Sequence, residues 1–137
     1  MDSVDTHNVS KGIVLMVDDD KFLADMYAIK FTHEGYTVHA YLAVEDALKA
    51  LRSGLEPQAV LFDLLMPGCD GLSFLASLRD EHLASKAVKI ALTNQSSDAE
   101  QAQARALGAD EFLIKAMLLP SEVVNLVAEE MRKHHVA

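Results

Sequence analysis

AVLFD at 59–63, followed by LLMPGCDG at 64–71, decides the fold. Four apolar residues run without a polar interruption, stop at the carboxylate of Asp63, and give way to a loop containing Pro67 and Gly71. A short unbroken apolar run of this kind reads as a strand buried on both faces. Three further apolar runs end in the same manner. IVLMV at 13–17 runs into Asp18, Asp19 and Asp20, VKIAL at 88–92 into Thr93, and EFLI at 111–114 into Lys115. In an open parallel sheet such ends meet in the crevice at the carboxyl edge of the strands. Carboxylates, a hydroxyl and an ammonium would therefore converge on one place.

Helical patterns separate these strands. Lys21 to His33 predicts a first helix with Phe22, Leu23, Met26 and Ile29 on its apolar face, ended by Gly35. Tyr36–Ala40 reads as the second strand, and 43–52 as a helix packing through Val44, Ala47, Leu48 and Leu51. A third helix over 71–80 turns Leu72, Leu75 and Leu78 inward. Ser97 and Glu100 have capping-box spacing at the start of a fourth helix, which ends at Gly108. Pro120 is a good first-turn residue for a fifth, running to about Arg132. The unit is βα repeated five times, which predicts a parallel sheet sandwiched between helices, a three-layer α/β/α domain. Residues 1–11 read as a loose arm and 12–134 as one domain.

The 137 residues are half hydrophobic and 24% charged, enough for a full core. A single cysteine, Cys69, allows no internal disulfide and agrees with a cytoplasmic setting. Neither a signal peptide nor a membrane-spanning apolar run is visible. The net charge of -9, without a Lys/Arg stripe, argues against a nucleic-acid partner. The chain ends soon after its last helical pattern, so the expectation is a stand-alone module.

Carboxylates converging on a solvent-facing crevice repel each other, and a hard divalent cation is the simplest remedy. Mg²⁺ takes oxygen ligands and keeps several waters. Asp19 and Asp63 with a backbone carbonyl from the following loop suit it, Asp18 joining directly or through water. No His/Cys cluster has zinc spacing, and no organic cofactor is expected. Asp20 reads as a helix cap or a solvated acid. Lys115 reads as an offset to the acids and a ligand for a phosphoryl oxygen, and Thr93 as either a cap or a donor to that group. The reading that uses all of them is phosphoryl transfer onto the Asp63 carboxylate.

VDDD at 17–20, LFDLLMPGCDG at 61–71, ALT at 91–93 and LGADEFLIK at 107–115, in this order and spacing, resemble the receiver domains of bacterial two-component response regulators. The resemblance implies the doubly wound, flavodoxin-like receiver fold with strand order 2-1-3-4-5. It implies that Asp18, Asp19, Asp63 and the Leu65 carbonyl hold Mg²⁺. Asp63 would accept a phosphoryl group from a histidine kinase or histidine phosphotransfer protein. Thr93 would be the switch hydroxyl, Lys115 the phosphate-sensing lysine and Phe112 the switch aromatic, whose plainer reading is core packing. Leu65 and Gln95 would flank the water that hydrolyses the phosphate, and leucine cannot orient it, so hydrolysis should be slow. The output, or a homodimer, would use the face of the fourth helix, fifth strand and fifth helix; the downstream partner is not identified.

The chain departs from the family's pattern at Ala116, where a proline usually follows the lysine, at the apolar run Met117-Leu118-Leu119, and at Asn94. A cis bond before alanine is costly, which favours trans at Lys115–Ala116, but the sequence leaves the isomer open. Two alternatives stay open. One is a receiver-like adaptor that is not phosphorylated. The other is a small flavin-binding electron carrier, against which DDDKF at 18–22 would repel a flavin phosphate.

Overall fold

The computed structural model describes residues 10–65, 71–94 and 97–136. Five strands, β1 (Ile13–Val17), β2 (Thr37–Tyr41), β3 (Ala59–Asp63), β4 (Val88–Thr93) and β5 (Glu111–Ile114), alternate with five helices. The helices are α1 (Lys21–His33), α2 (Val44–Arg52), α3 (Gly71–Asp80), α4 (Asp98–Ala106) and α5 (Pro120–Val136). All strand pairs are parallel and the order is β2-β1-β3-β4-β5. This is the doubly wound order expected from the resemblance, and the first half of the chain reverses direction across the sheet at β1/β3.

Alternate side chains of each inner strand feed two separate cores. Leu15, Val17, Val60, Phe62 and Ala91 face α2, α3 and α4, where they meet Leu48, Leu51, Phe74, Leu75 and Ala104. Val14, Met16, Leu61, Ile90 and Leu92 face α1 and α5, where they meet Tyr27, Phe31, Val123 and Val127. Burial on both faces is why these strands read as continuous apolar runs.

Helix ends follow local chemistry. Asp20 caps α1, its Oδ1 accepting from Leu23 N at 3.1 Å. Ser97 and Glu100 complete a capping box on α4, with Glu100 N donating to Ser97 Oγ at 3.1 Å and Ser97 N to Glu100 Oε1 at 3.0 Å. Gly35, with φ of 102°, takes the left-handed turn that ends α1.

The first helix corrects one expectation. Phe22 is 76% exposed and Ile29 68% exposed, while Ala24, Tyr27 and Phe31 are buried. Apolar residues spread over more than half of the circumference of this helix, so spacing alone leaves its rotation open. The two aromatics, which bury the most surface, set the phase. In α3, Phe74 is fully buried beside Leu75 and Leu78. The second strand begins at Thr37 rather than Tyr36, and α5 continues to Val136. Of the expected arm, residues 1–9 lie outside the described residues, as do Pro67, Cys69 and Gln95. Among the described residues no helix is long and apolar enough to cross a membrane.

Candidate functional site

The C-terminal ends of β1, β3 and β5 deliver a buried charged cluster. Asp18 follows β1 and is 2% exposed, Asp63 ends β3 at 8%, and the Lys115 side chain is 9% exposed. Lys115 Nζ lies 2.8 Å from Asp18 Oδ2 and 2.9 Å from Asp63 Oδ2, so one ammonium bridges two carboxylates. The remaining Asp63 oxygen accepts from Leu65 N at 3.1 Å, and Asp18 Oδ1 accepts from Asp20 N at 2.9 Å. Both acids are thus held by the first residues of the loops that follow them. Burial pulls the Lys115 ammonium down, but its contacts with Asp18 and Asp63 outweigh burial and raise its pKa above the ordinary value.

Asp19 is exposed and closes the set. One carboxylate oxygen from each of Asp18, Asp19 and Asp63 lies within 4.8 Å of the others. Three acidic oxygens at that spacing suit a hard divalent cation with oxygen ligands. A second observation agrees: Asp18 Oδ2 is buried and, beyond its ionic contact with Lys115, has no hydrogen bond of acceptable geometry. A carboxylate oxygen has lone-pair capacity beyond one ionic contact, which a cation in the cluster would use. The donor set fits Mg²⁺.

Gly71 fixes where Asp63 sits. Its N–H donates to Leu64 O at 2.8 Å. A Cβ at this position would lie 2.8 Å from both Asp63 O and Leu64 Cα. The start of α3 therefore presses directly against the backbone at the acid, an approach open only to glycine.

Thr93 ends β4 and is 1% exposed, one residue beyond Leu92, the strand partner of Asp63. The structure thus brings Asp18, Asp19, Asp63, Thr93 and Lys115 to one edge. Phe112 lies elsewhere: half-buried on β5, it packs against the core under α4, with the Arg105 guanidinium 4.7 Å from its ring centre. Leu65 exposes 59% of its surface beside the acid pocket. Gln95 lies outside the described residues.

After β5, Lys115–Met117 form a single 3₁₀ turn, and no peptide bond among the described residues is cis. Leu118 packs into the core shared by α1 and α5, whereas Met117 (77%) and Leu119 (65%) face solvent. Sequence reasoning missed Tyr27. This buried phenol on α1 lies within the electrostatic reach of Lys115, Asp18 and Asp20, and burial raises its pKa. Its only sequence signal is the spacing of an aromatic seven residues after Asp20, which also describes an ordinary core tyrosine.

Known proteins share the fold. The family described as "Response regulator receiver domain" matches residues 14–128. The regulatory protein VanR of Enterococcus faecium is 27% identical over 121 residues, covering 88% of this chain and 50% of VanR, so the chain spans about half the length of that relative. Among solved structures, a CheY-like response regulator receiver domain protein from Methanospirillum hungatei JF-1 superposes with a TM-score of 0.80. Its identity is 22%, over 89% of this chain and 94% of the other. A Francisella response regulator receiver domain gives 0.77 at 25% identity, over 90% and 98%. The family match covers most of the chain, and the sheet order and the acid-lysine cluster are in place within it; the chain belongs to the response regulator receiver domain family.

Proposed function

We propose that this domain is a phosphoacceptor switch in which Asp63 receives a phosphoryl group. The observation that carries the reading is the bridging of buried Asp18 and Asp63 by Lys115, at 2.8 and 2.9 Å, with Asp19 completing the acidic set. An Asp63 carboxylate oxygen attacks phosphorus. The bond from phosphorus to the donor breaks, and its electron pair leaves with the donor. Lys115, already at Asp63 Oδ2, offsets negative charge on the arriving group, and the Leu65 N–H holds the other carboxylate oxygen in place. A Mg²⁺ ion held by Asp18, Asp19, Asp63 and the Leu65 carbonyl would supply further charge neutralisation. Thr93 would donate to the phosphoryl group, and Lys115 would report its presence.

The donor would be a histidine kinase or a histidine phosphotransfer protein. Its support is a set of exposed apolar residues close in sequence to the acid pocket: Phe22, Leu65, Met117 and Leu119 are all largely exposed, and each lies within four residues of a charged site residue. Exposed apolar side chains on the segments that carry a charged pocket suit a protein partner. We assign the output, or a homodimer contact, to the face of α4, β5 and α5, with Phe112 as the moving aromatic and cytoplasm as the setting. Leu65, and Gln95 by its spacing, would make the aspartyl phosphate long-lived.

The test is intact-mass analysis after incubation with acetyl phosphate and Mg²⁺, with Asp63→Asn as control. One phosphoryl increment is expected on the parent chain and none on the variant. Equal labelling of both would overturn the assignment of Asp63, and no labelling of either would favour the non-phosphorylated adaptor.

A further inference from the structure

A second cleft opens at the opposite edge of the sheet, where the C-terminal ends of α3 and α4 diverge over the beginning of β4. It encloses about 230 Å³, and its lining includes Leu78, Leu83, Leu107, Arg79, His82 and Lys89. Lys89 is the unusual member. It occupies a strand position whose neighbours Val88 and Ile90 are buried in the other core, so its own side chain projects under α3 and α4.

The backbone of Lys89 is tied on both sides. Its N–H donates to Asp110 Oδ2 at 2.8 Å, and Asp110 N donates to Lys89 O at 2.7 Å. Its Nζ donates to Ala87 O at 3.1 Å, using one of three N–H donors. Burial pulls the Lys89 pKa below the ordinary lysine value, while the Asp110 carboxylate opposes the shift. The other charged or titratable groups lining the cleft are Arg79, ion-paired with Asp80 at 3.1 Å, and His82. A desolvated amine with a depressed pKa keeps a larger neutral, nucleophilic fraction near neutral pH than a solvated lysine does.

We propose that Lys89 is an acylation site that takes a small acyl group from an acyl phosphate entering this cleft. The Nζ lone pair forms a bond to the acyl carbon. The carbon–oxygen bond to phosphate breaks, and its electron pair leaves with phosphate, which takes up the proton shed by nitrogen. The products are an amide and inorganic phosphate, with no change of oxidation state. Arg79, released from Asp80, supplies the positive charge that seats the phosphate. Acylation removes the ammonium beside Asp110 and fills the junction of α3 and α4. The inference does not depend on Asp63: an acyl phosphate gives its acyl group to an amine but its phosphoryl group to a carboxylate, and the two adducts differ in mass and position.

The test is peptide mapping of acetyl-lysine after incubation of the full chain, and of Asp63→Asn, with acetyl phosphate across neutral and mildly alkaline pH. The exposed Lys49 and Lys86 serve as internal references within the same unmodified chain. Lys89 is expected to acquire acetyl several-fold faster than either, equally in both chains, with a rate that levels off at lower pH. Inorganic phosphate should slow Lys89 selectively, and Arg79→Ala should do the same. A Lys89 rate equal to or below that of Lys86, or an identical pH profile, would overturn the proposal. Indifference to inorganic phosphate would overturn the seat assigned to Arg79.

Discussion

Replacing Lys115 by alanine removes the single cation from between two buried carboxylates, and the expected cost can be worked from the geometry. At an effective dielectric of about 20, a unit pair at the observed 2.9 Å is worth roughly 6 kcal/mol before desolvation. Repulsion between carboxylate oxygens within 4.8 Å is roughly 3 kcal/mol on the same scale, and it is uncompensated once the ammonium is gone. Desolvation of the ammonium cancels much of the attraction, which leaves a net loss of about 3 kcal/mol, the low end for breaking a buried pair. Strand-end placement alone would suggest a milder effect; the side-chain exposures of 9% and 11% argue for the larger one. Lys115→Met, which keeps the apolar stem, separates charge from packing and should lose nearly as much. Urea unfolding with and without Mg²⁺ is the assay. At about ten times its dissociation constant the ion should return ~1.4 kcal/mol to either variant by linkage, because it replaces the missing positive charge. A loss below about 1 kcal/mol in the absence of metal, or stability that ignores Mg²⁺, would refute the reasoning.

Gly71→Ala sets a helix-propensity gain of up to ~1 kcal/mol against an overpacking cost of ~1–3 kcal/mol. Both clashing atoms are backbone, so the cost should win and unfolding should shift to lower urea, with less phosphorylation at Asp63. Leu65→Asn should shorten the lifetime of the Asp63 phosphate in acid-quenched labelling; an equal or longer lifetime counts against Leu65 as the obstruction. With beryllofluoride, amide shifts should extend beyond the acid pocket to 97–115 and to the facing part of α5, and shifts confined to Asp18, Asp63 and Lys115 would mean that the signal stops there. Tyr27 is held neutral by burial, so its folded pKa lies above the unfolded value of 10.0. The resulting stability is complete below pH 10.0 and is lost as pH rises through the folded pKa. In a spectrophotometric titration, the ionisation abolished by Tyr27→Phe should therefore be centred above 10.0, and one centred at or below that value would place the phenol in solvent.

The parallel sheet and most of the acid cluster were legible in the sequence because the two signals reinforce each other. An apolar run buried on both faces has no polar residue to spare, so a polar residue at its end marks the edge of the sheet. Asp18, Asp63, Thr93 and Lys115 all announce themselves in this way. The caps on α1 and α4 were legible for a related reason, since Asp20 and the Ser97/Glu100 pair act only on neighbouring residues. The rotation of α1 was not legible. Phe22, Leu23, Met26, Tyr27, Ile29 and Phe31 spread over more than half of the helix circumference, and only contact with the sheet selects Tyr27 and Phe31. The 3₁₀ turn at Lys115–Met117 is tertiary in origin: it lets Leu118 reach the core while Lys115 turns to the acids. The last turn of α5 extends past Arg132 with surface pairing of Lys133 to Glu129 at 3.2 Å, which is too weak a pattern to fix a helix end from spacing.

The division of the strands between two cores has a mechanical consequence. The sheet is a partition: α1 and α5 press on one side of it, α2, α3 and α4 on the other, and no strand side chain belongs to both. The fourth helix is the loosest tenant of its side, with Ala104 as its one fully buried residue. It has fewer interlocked side chains to resist a shift than the other four helices have. On the proposed function, a receiving surface beside α1 and a display surface on α4 would thus be free to diverge in sequence independently of one another, joined through the backbone ends that carry the acids, the threonine and the lysine.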